Sequence, residues 1–481
     1  MTIRTVGPTS TFPTIAAAVA AADAGDTILL EDGYSNERAV LTVQDLIVQG
    51  GAASRNIDLE LGVGIFNVTL GGLSDIDVWD NGGNNTITGN AGSSIIRVSG
   101  GADVVLGGDA RDRLVIDYAA AVATVTGTVT GVTDGGTNSV TFDASVEDFT
   151  ILTGDANDTL TTGDGDNVLN TRDGNDTITT GHGDSRISSG GGNDTIGVGN
   201  GRNFVRSGDG DDTVTTGDGN NNVNAGDGDN TVTTGAGADV VTSGTGNDTL
   251  VTGTGDDRVQ VRGGADSLIA GTGNDLLTVD YGDLLTNVTA NPTAGTMAGG
   301  YTGLASDGAA NSVNYTGVER FNITTGAGDD QVRTGGGNDT LSGGQGQDVL
   351  QAGVGTDVVI GGGGDDTIVG GNNADMLTGG QGNDTFRFDD LHSIMGSTDR
   401  ITDLQALDAI DLSAIDADVN AGGDQAFVFV DSFSGTAGEA TITYQANRDL
   451  TRMTFDTDGD GTADIAIVAV GDVSAFDNFV L

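Results

Sequence analysis

Carboxylates set at a fixed interval are the side chains of this sequence best placed to do chemistry. From Asp158 one position returns every nine residues: Asp158, Asn167, Asp176, Ser185, Asp194, Asn203, Asp212, Asn221, Asn230, Asp239, Asp248, Asp257, Asp266 and Asp275. A second array holds Asp330, Asp339, Asp348, Asp357, Asp366, Asp375 and Asp384, and a shorter stretch with Asn85, Ser94, Asp103 and Asp112 precedes both. Such groups can hold cations, or act as the acid and base of a glycosidase where two face one another. Adjacent pairs such as Asp211-Asp212 follow from the repeat itself, so the glycosidase reading gains nothing from them. Only two histidines are present, His182 and His392, and they stand apart. With no cysteine, neither disulfides nor thiolate chemistry contributes.

The elements that position these carboxylates follow from the same period. Two residues after each repeated position sits a large apolar side chain, from Leu160, Leu169 and Ile178 through to Leu277, and again from Val332 to Phe386. Two residues before it is glycine, from Gly165 to Gly273, with Ala156 the departure. A short strand turns the lone aliphatic inward and its polar neighbours outward. The Gly-x-Gly-x-Asp loop then reverses the chain, since glycine accepts positive φ and lets carbonyls converge. Two such units make a flattened coil of eighteen residues. One coil cannot bury its own aliphatics, so stability has to come from stacking. The insertions on either side of the first array are related: Leu114-Val-Ile-Asp-Tyr118 resembles Leu277-Thr-Val-Asp-Tyr281, and Val146-Glu-Asp-Phe149 resembles Val318-Glu-Arg-Phe321. The chain is therefore internally duplicated.

Composition agrees with this and excludes other classes. The chain has 481 residues, 70 acidic against 18 basic side chains, and a formal net charge of −52. All the basic residues are arginine, and all but 6 of the acidic ones are aspartate. Such a charge repels nucleic acid and anionic headgroups. Glycine, at 83 positions, and aspartate disfavour helices, and no apolar run is long enough to span a membrane as a helix. High charge with 4% aromatics would suit a disordered chain. Fourteen consecutive units in one register would not.

Units such as Gly343-Gly-Gln-Gly-Gln-Asp-Val-Leu-Gln351 and Gly361-Gly-Gly-Gly-Asp-Asp-Thr-Ile-Val369 resemble the nonapeptides of repeats-in-toxin (RTX) proteins. In the first array the opening glycine is usually Thr, Ser, Ala or Val, a departure from that pattern. The resemblance implies an all-β, parallel β-roll with several Ca²⁺ ions between successive loops. The sixth-position aspartates and loop carbonyls would be the ligands, a set that suits Ca²⁺ better than zinc or copper. It implies metal ligation by Asp103, Asp112, Asp158, Asp176, Asp194, Asp212, Asp239, Asp248, Asp257, Asp266, Asp275, Asp330, Asp339, Asp348, Asp357, Asp366, Asp375 and Asp384. The two edges of the first array differ. One carries Asp158, Asp176, Asp194, Asp212, Asn230, Asp248 and Asp266; the other opens with Asn167, Ser185, Asn203 and Asn221 before Asp239, Asp257 and Asp275. Asn and Ser bring no charge to a metal, so calcium is expected along the first edge, and opposite it only from about residue 239. Stacked aspartates repel without counterions, so folding should be linked to Ca²⁺ and should occur outside the cell.

The ends carry further resemblances. Ile15-Ala-Ala-Ala-Val-Ala-Ala-Ala22 reads as a short capping helix rather than a signal peptide, since only Arg4 precedes it and Pro8 and Pro13 interrupt the approach. With the strands Asp26–Leu30 and Leu46–Gly50 it is similar to the opening of pectate-lyase-like β-helices. Phe386-Arg-Phe388, Asp399-Arg-Ile-Thr-Asp403, Asp408-Ala-Ile-Asp-Leu-Ser413, Ala426-Phe427 and Phe476-Asp-Asn-Phe-Val-Leu481 resemble the tail of serralysin-type RTX proteins, which implies type I secretion. Within it Asp456, Asp458, Asp460 and Asp464 form a candidate hairpin calcium loop; Ile467 at position twelve argues against an EF-hand. Serralysins need a zinc helix with three histidines around a glutamate, which this chain lacks.

On the aspartate-rich edge the residue after the sixth position reads Thr159, Thr177, Thr195, Thr213, Thr231, Thr249 and then Ser267. Threonine suits exposed strands, and a column of it is also a candidate docking face for a sister subunit, a glycan or ice. The expected order is a cap and β-helix-like start (1–80), a short array (81–117), an insertion (118–150), the first β-roll (151–280), a second insertion (281–322), the second β-roll (323–388) and a secretion region (389–481). The reading is an exported, calcium-dependent structural protein of a bacterial surface or matrix that self-assembles and is not an enzyme. Its partners are copies of itself and the type I secretion machinery, with neither nucleic acid nor a transmembrane segment. The alternative is an adhesin for cell-surface carbohydrate or ice; an extracellular enzyme comes third.

Overall fold

The computed structural model describes residues 1–51, 53–388, 397–423 and 425–481. It divides into two compact units, 1–236 and 237–481. Each is a parallel β-solenoid, and the single α-helix among the described residues is Ile15–Ala20.

In the first unit the coils tighten along the chain. The register Ile3↔Thr27, Thr27↔Ile47, Leu46↔Val68 and Thr86↔Val104 takes the repeat from twenty-four residues to eighteen. The helix caps this end. The Thr14 side chain accepts the Ala17 N–H at 3.2 Å, while Ile15, Ala18 and Val19 are buried. From Thr159 the period holds at eighteen: Thr159↔Thr177, Thr177↔Thr195, Thr195↔Thr213 and Thr213↔Thr231 on one sheet. Val168↔Arg186, Arg186↔Phe204 and Phe204↔Asn222 pair on the other. Between the sheets Leu160, Ile178, Ile196, Val214 and Val232 meet Leu169, Ile187, Val205 and Val223, none more than 1% exposed. This is the apolar column that the nine-residue spacing requires.

The second unit repeats the pattern through Gln331↔Val349, Val349↔Thr367 and Thr367↔Thr385, and through Thr340↔Val358 and Val358↔Met376. The tail continues the register, with Met376↔Arg400 and Thr385↔Ala409. It ends in an antiparallel sheet, Glu439–Gln445, Leu450–Asp456 and Ile465–Val470.

Both insertions use one device. Residues 118–150 form a meander, Thr126–Thr128, Gly131–Thr133 and Ser139–Phe142. Its last strand pairs with the preceding coil (Ala102↔Ser139) and its first with the following coil (Thr126↔Thr159). In the second unit Thr289–Thr296, Gly300–Ser306 and Ser312–Val318 do the same, through Ala265↔Ser312 and Thr289↔Gln331. Each meander adds two strands to one sheet that the other sheet does not match. Only in the second are these strands long enough, at eight and seven residues, to reach beyond the coil.

Candidate metal centre

The repeated aspartates lie where strand and loop meet, and all eighteen are buried, none more than 3% exposed. Each turn is set by glycines; Gly364, at φ +125°, passes so close to Gly346 that any β-carbon would collide with the Gly346 carbonyl. In both arrays one carboxylate oxygen of the repeated aspartates belongs to a ladder. Asp176 Oδ1 accepts the Asp158 N–H at 2.7 Å, Asp194 Oδ1 that of Asp176 at 2.8 Å, and Asp212 Oδ1 that of Asp194 at 2.8 Å. The second array repeats this in the pairs Asp330 to Asp348, Asp339 to Asp357 and Asp366 to Asp384, at 2.7–3.0 Å.

The other oxygen is the informative one. Oδ2 of Asp103, Asp112, Asp266, Asp275, Asp348, Asp357, Asp366, Asp375 and Asp384 is buried with no hydrogen-bond partner. Where the coil begins with glycine there is room for this oxygen: a β-carbon on Gly343, Gly361 or Gly379 would collide with it. Where the coil begins with Thr or Ser, that hydroxyl lies beside the carboxylate. Its proton goes to a carbonyl eighteen residues on, Thr153 to Thr171, Thr171 to Ser189 and Thr334 to Ala352 at 3.4, 3.3 and 2.7 Å, so Oδ2 of Asp158, Asp176 and Asp339 also lacks a partner and bears the cost of burial. That cost is visible in the pKa values. Burial pushes Asp176 up to about 6, Asp103 and Asp366 to about 7, and Asp375 to about 8.

The asparagine coils show what belongs in that space. Asn203 Nδ2 donates to the carbonyls of Gly199 and Gly201, at 3.0 and 3.3 Å. Asn221 does the same with Gly217 and Gly219, at 3.0 and 2.8 Å, and Asn230 with Gly226 and Gly228, at 3.2 and 3.0 Å. Carbonyls two and four residues upstream thus converge on the side-chain tip. In an aspartate coil the same backbone path turns those carbonyls on a carboxylate oxygen. Oxygen facing oxygen is repulsive unless a cation stands between them. The donor set, carboxylate and carbonyl oxygen in a flexible loop, fits Ca²⁺. Asn167 Nδ2 donates to Gly165 at 3.1 Å, and Ser185 is buried in the same ladder, its N–H bound to Asn203 Oδ1 at 3.0 Å.

The ladder runs beyond the arrays. Asp375 N–H donates to Asp399 at 2.9 Å and Asp384 N–H to Asp408 at 3.0 Å, after a step of twenty-four residues. Asp399-Arg-Ile401 and Asp408-Ala-Ile410 keep the spacing of acid and aliphatic and stand nine residues apart, the signal by which sequence reading could have joined them to the array. Glu319 takes the Asp275 N–H at 2.8 Å and Glu147 that of Asp112 at 2.9 Å, so the two insertions end on equivalent glutamates.

Elsewhere, Asp456, Asp458 and Asp464 bring carboxylate oxygens within 4.8 Å of one another in the expected hairpin loop. Asp460 is turned onto Thr462 instead, which holds its carboxyl below the usual range. Asp456 already accepts the N–H groups of Gly459 and Gly461, at 2.7 and 2.9 Å. His182 is exposed, and its Nδ1 accepts the Asn200 N–H at 3.1 Å, the same place that Asp164 and Asn200 take in the outer loop ladder. His392 lies outside the described residues. Thr159, Thr177, Thr195, Thr213 and Thr231 form an exposed column in the first unit, and Thr249 pairs with Ser267 in the second.

The sequence model of the RTX calcium-binding nonapeptide repeat (4 copies) matches residues 79–114, 152–187, 170–205, 206–241, 242–277 and 322–350. The chain carries RTX calcium-binding repeats. The Peptidase M10 serralysin C terminal family matches residues 337–481, so this RTX protein has a serralysin-type C-terminal region that takes in most of the second array. Among solved structures, the AlgE6R2 subunit of the mannuronan C5-epimerase from Azotobacter vinelandii is 24% identical, over 31% of this chain and 91% of its own, with a TM-score of 0.25. The AlgE6R3 subunit is 25% identical, over 32% and 78%, with a TM-score of 0.18. Superpositions this loose carry no argument. RTX repeats imply an exported calcium-binding protein, and no helix among the described residues is long and apolar enough to cross a membrane.

Proposed function

We propose that this RTX protein is an extracellular structural subunit, secreted by a type I system, that sets and self-assembles on meeting calcium. The observation that carries the reading is the row of buried carboxylate oxygens without hydrogen-bond partners. It makes the metal-free solenoid costly and the calcium-bound one rigid. Calcium is held by the sixth-position aspartates, whereas Asn167, Ser185, Asn203 and Asn221 form metal-free turns. Folding is thereby deferred until export, because the ion is scarce in the cytosol and plentiful outside. The exposed threonine column favours assembly, since it offers a regular, uncharged surface on a molecule of net charge −52. The protein is read as a scaffold without catalytic activity.

Negative-stain imaging of the full chain, before and after calcium is added to the metal-stripped protein, tests the proposal. Filaments or sheets that appear with calcium and vanish on chelation are expected. Discrete monomers at every calcium concentration would overturn self-assembly.

A further inference from the structure

The second meander does something that the first cannot. Its strand Thr289–Thr296 pairs with the next coil only through Thr289↔Gln331 and Ala290↔Val332. Beyond that it parts from this coil, stays paired with Gly300–Ser306 as far as Thr296↔Gly300 and, with that strand, roofs the ends of the strands Gln331–Arg333 and Val349–Val354. The space beneath is a cleft of about 440 Å³. Tyr301 lies flat on Gly335, where any β-carbon would collide with the ring, so the aromatic wall is seated on bare backbone. Around it stand Arg333, Gln351, Asn372 and Thr293.

Two features select the ligand. In a chain with 70 acidic side chains, no aspartate or glutamate among the described residues lines this cleft, and an arginine does. Charge complementarity within the cleft therefore points to an anion, once calcium bound at the buried aspartates offsets much of the net charge of −52 that otherwise repels polyanions. The rest of the lining offers an aromatic face, two carboxamides and the Thr293 hydroxyl among small and apolar residues, which suits a ring with one apolar side and many hydroxyls. Arg333 and Gln351 also line an adjoining hollow of about 180 Å³, so the site continues past one sugar ring.

We infer that this cleft binds a strand of carboxylate-bearing polysaccharide. One sugar ring lies on Tyr301, its carboxylate meets the planar donor fork of Arg333, and Gln351 and Asn372 take hydroxyls. The inference goes beyond the structural reading and does not depend on self-assembly.

Calorimetric titration of the calcium-loaded full chain with the tetramer of β-1,4-linked glucuronate tests it, with cellotetraose as the uncharged counterpart. The acidic tetramer is expected to bind and cellotetraose to bind at least tenfold more weakly. Arg333→Gln should weaken the acidic tetramer about tenfold, as loss of a hydrogen bond to a charged group does, with Arg333→Lys intermediate. Tyr301→Ala should abolish binding. Arg333 is exposed, so its variants should keep the circular dichroism of the parent and remain informative if Tyr301→Ala unfolds the roof. Equal binding of the two tetramers, no binding by the parent chain, or an unchanged affinity in Arg333→Gln would overturn the assignment.

Discussion

Aspartate and asparagine have nearly the same shape, and at the sixth loop position they accept the same backbone N–H. Asn230 accepts the Asp212 N–H at 3.0 Å, as Asp212 accepts that of Asp194 at 2.8 Å. They differ in what the second terminal atom needs. The carboxamide nitrogen finds two carbonyls and closes the loop without help, whereas the carboxylate oxygen facing those carbonyls requires a cation. Replacing Asn203 and Asn221 together by aspartate should therefore raise the number of calcium ions bound per chain, as counted by elemental analysis after dialysis. It should also lower the melting temperature of the metal-free form. Asp194→Asn should do the reverse, losing calcium while keeping or raising metal-free stability. The raised carboxyl pKa values add a pH dependence with a definite sign. An unfolded aspartate titrates near pH 4, and in the fold burial moves Asp103 and Asp339 to about 7 and Asp375 to about 8. Between those limits the folded chain binds more protons than the unfolded one, so its stability falls as pH rises. Metal-stripped protein should melt at a higher temperature at pH 5 than at pH 8, and calcium should reduce or reverse that difference. A metal-free melting temperature that rises with pH would contradict this account.

A single coil contributes two aliphatics and two loops, and neither is stable without its neighbours. Ile196 packs between Ile178 and Val214 in its own column and is 1% exposed. Its replacement by alanine should cost about 2–5 kcal/mol in the calcium-loaded form, read as a shift in the urea midpoint. The nearest coils should lose amide-exchange protection first, because solenoid stability is a sum of neighbour terms. The nine-residue period made these strands and their inward residues legible, and the paired motifs around Tyr118 and Tyr281 disclosed the duplication. The meanders were not legible as such. Their strands, Thr126–Thr128 and Gly131–Thr133, have no repeat to mark them and are fixed by pairing with coils on either side. Asp399 and Asp408 were read as part of the tail because the step into them is twenty-four residues instead of eighteen, although their backbone partners are array residues.

For the whole molecule, a net charge of −52 on a fold that buries its repeat aspartates ties structure to calcium supply. Chelation of the loaded protein should expand it in small-angle scattering and remove its β signal in circular dichroism, with recovery when calcium is restored. A compact, β-rich particle in excess chelator at neutral pH would refute the linkage between ion and fold. If the threonine face mediates assembly, Thr177→Tyr with Thr213→Tyr should suppress filaments or sheets while leaving the calcium-loaded circular dichroism unchanged. Undiminished assembly in that variant would assign the contact to another surface.

By itself the sequence determined the period, the inward aliphatics, the glycine turns and the row of acids, because each follows from neighbours at most a few residues away. It also exposed the contrast between the two edges, since Asp and Asn differ in charge wherever they stand. Only the tertiary structure decided which carboxylate oxygen is engaged in the ladder and which is left without a partner. Those distances join residues eighteen, twenty-four or forty-four positions apart. The cleft beneath the second meander likewise exists only once strands far apart in the chain are stacked, because Tyr301 finds its seat on Gly335 through packing, with no local pattern to announce it.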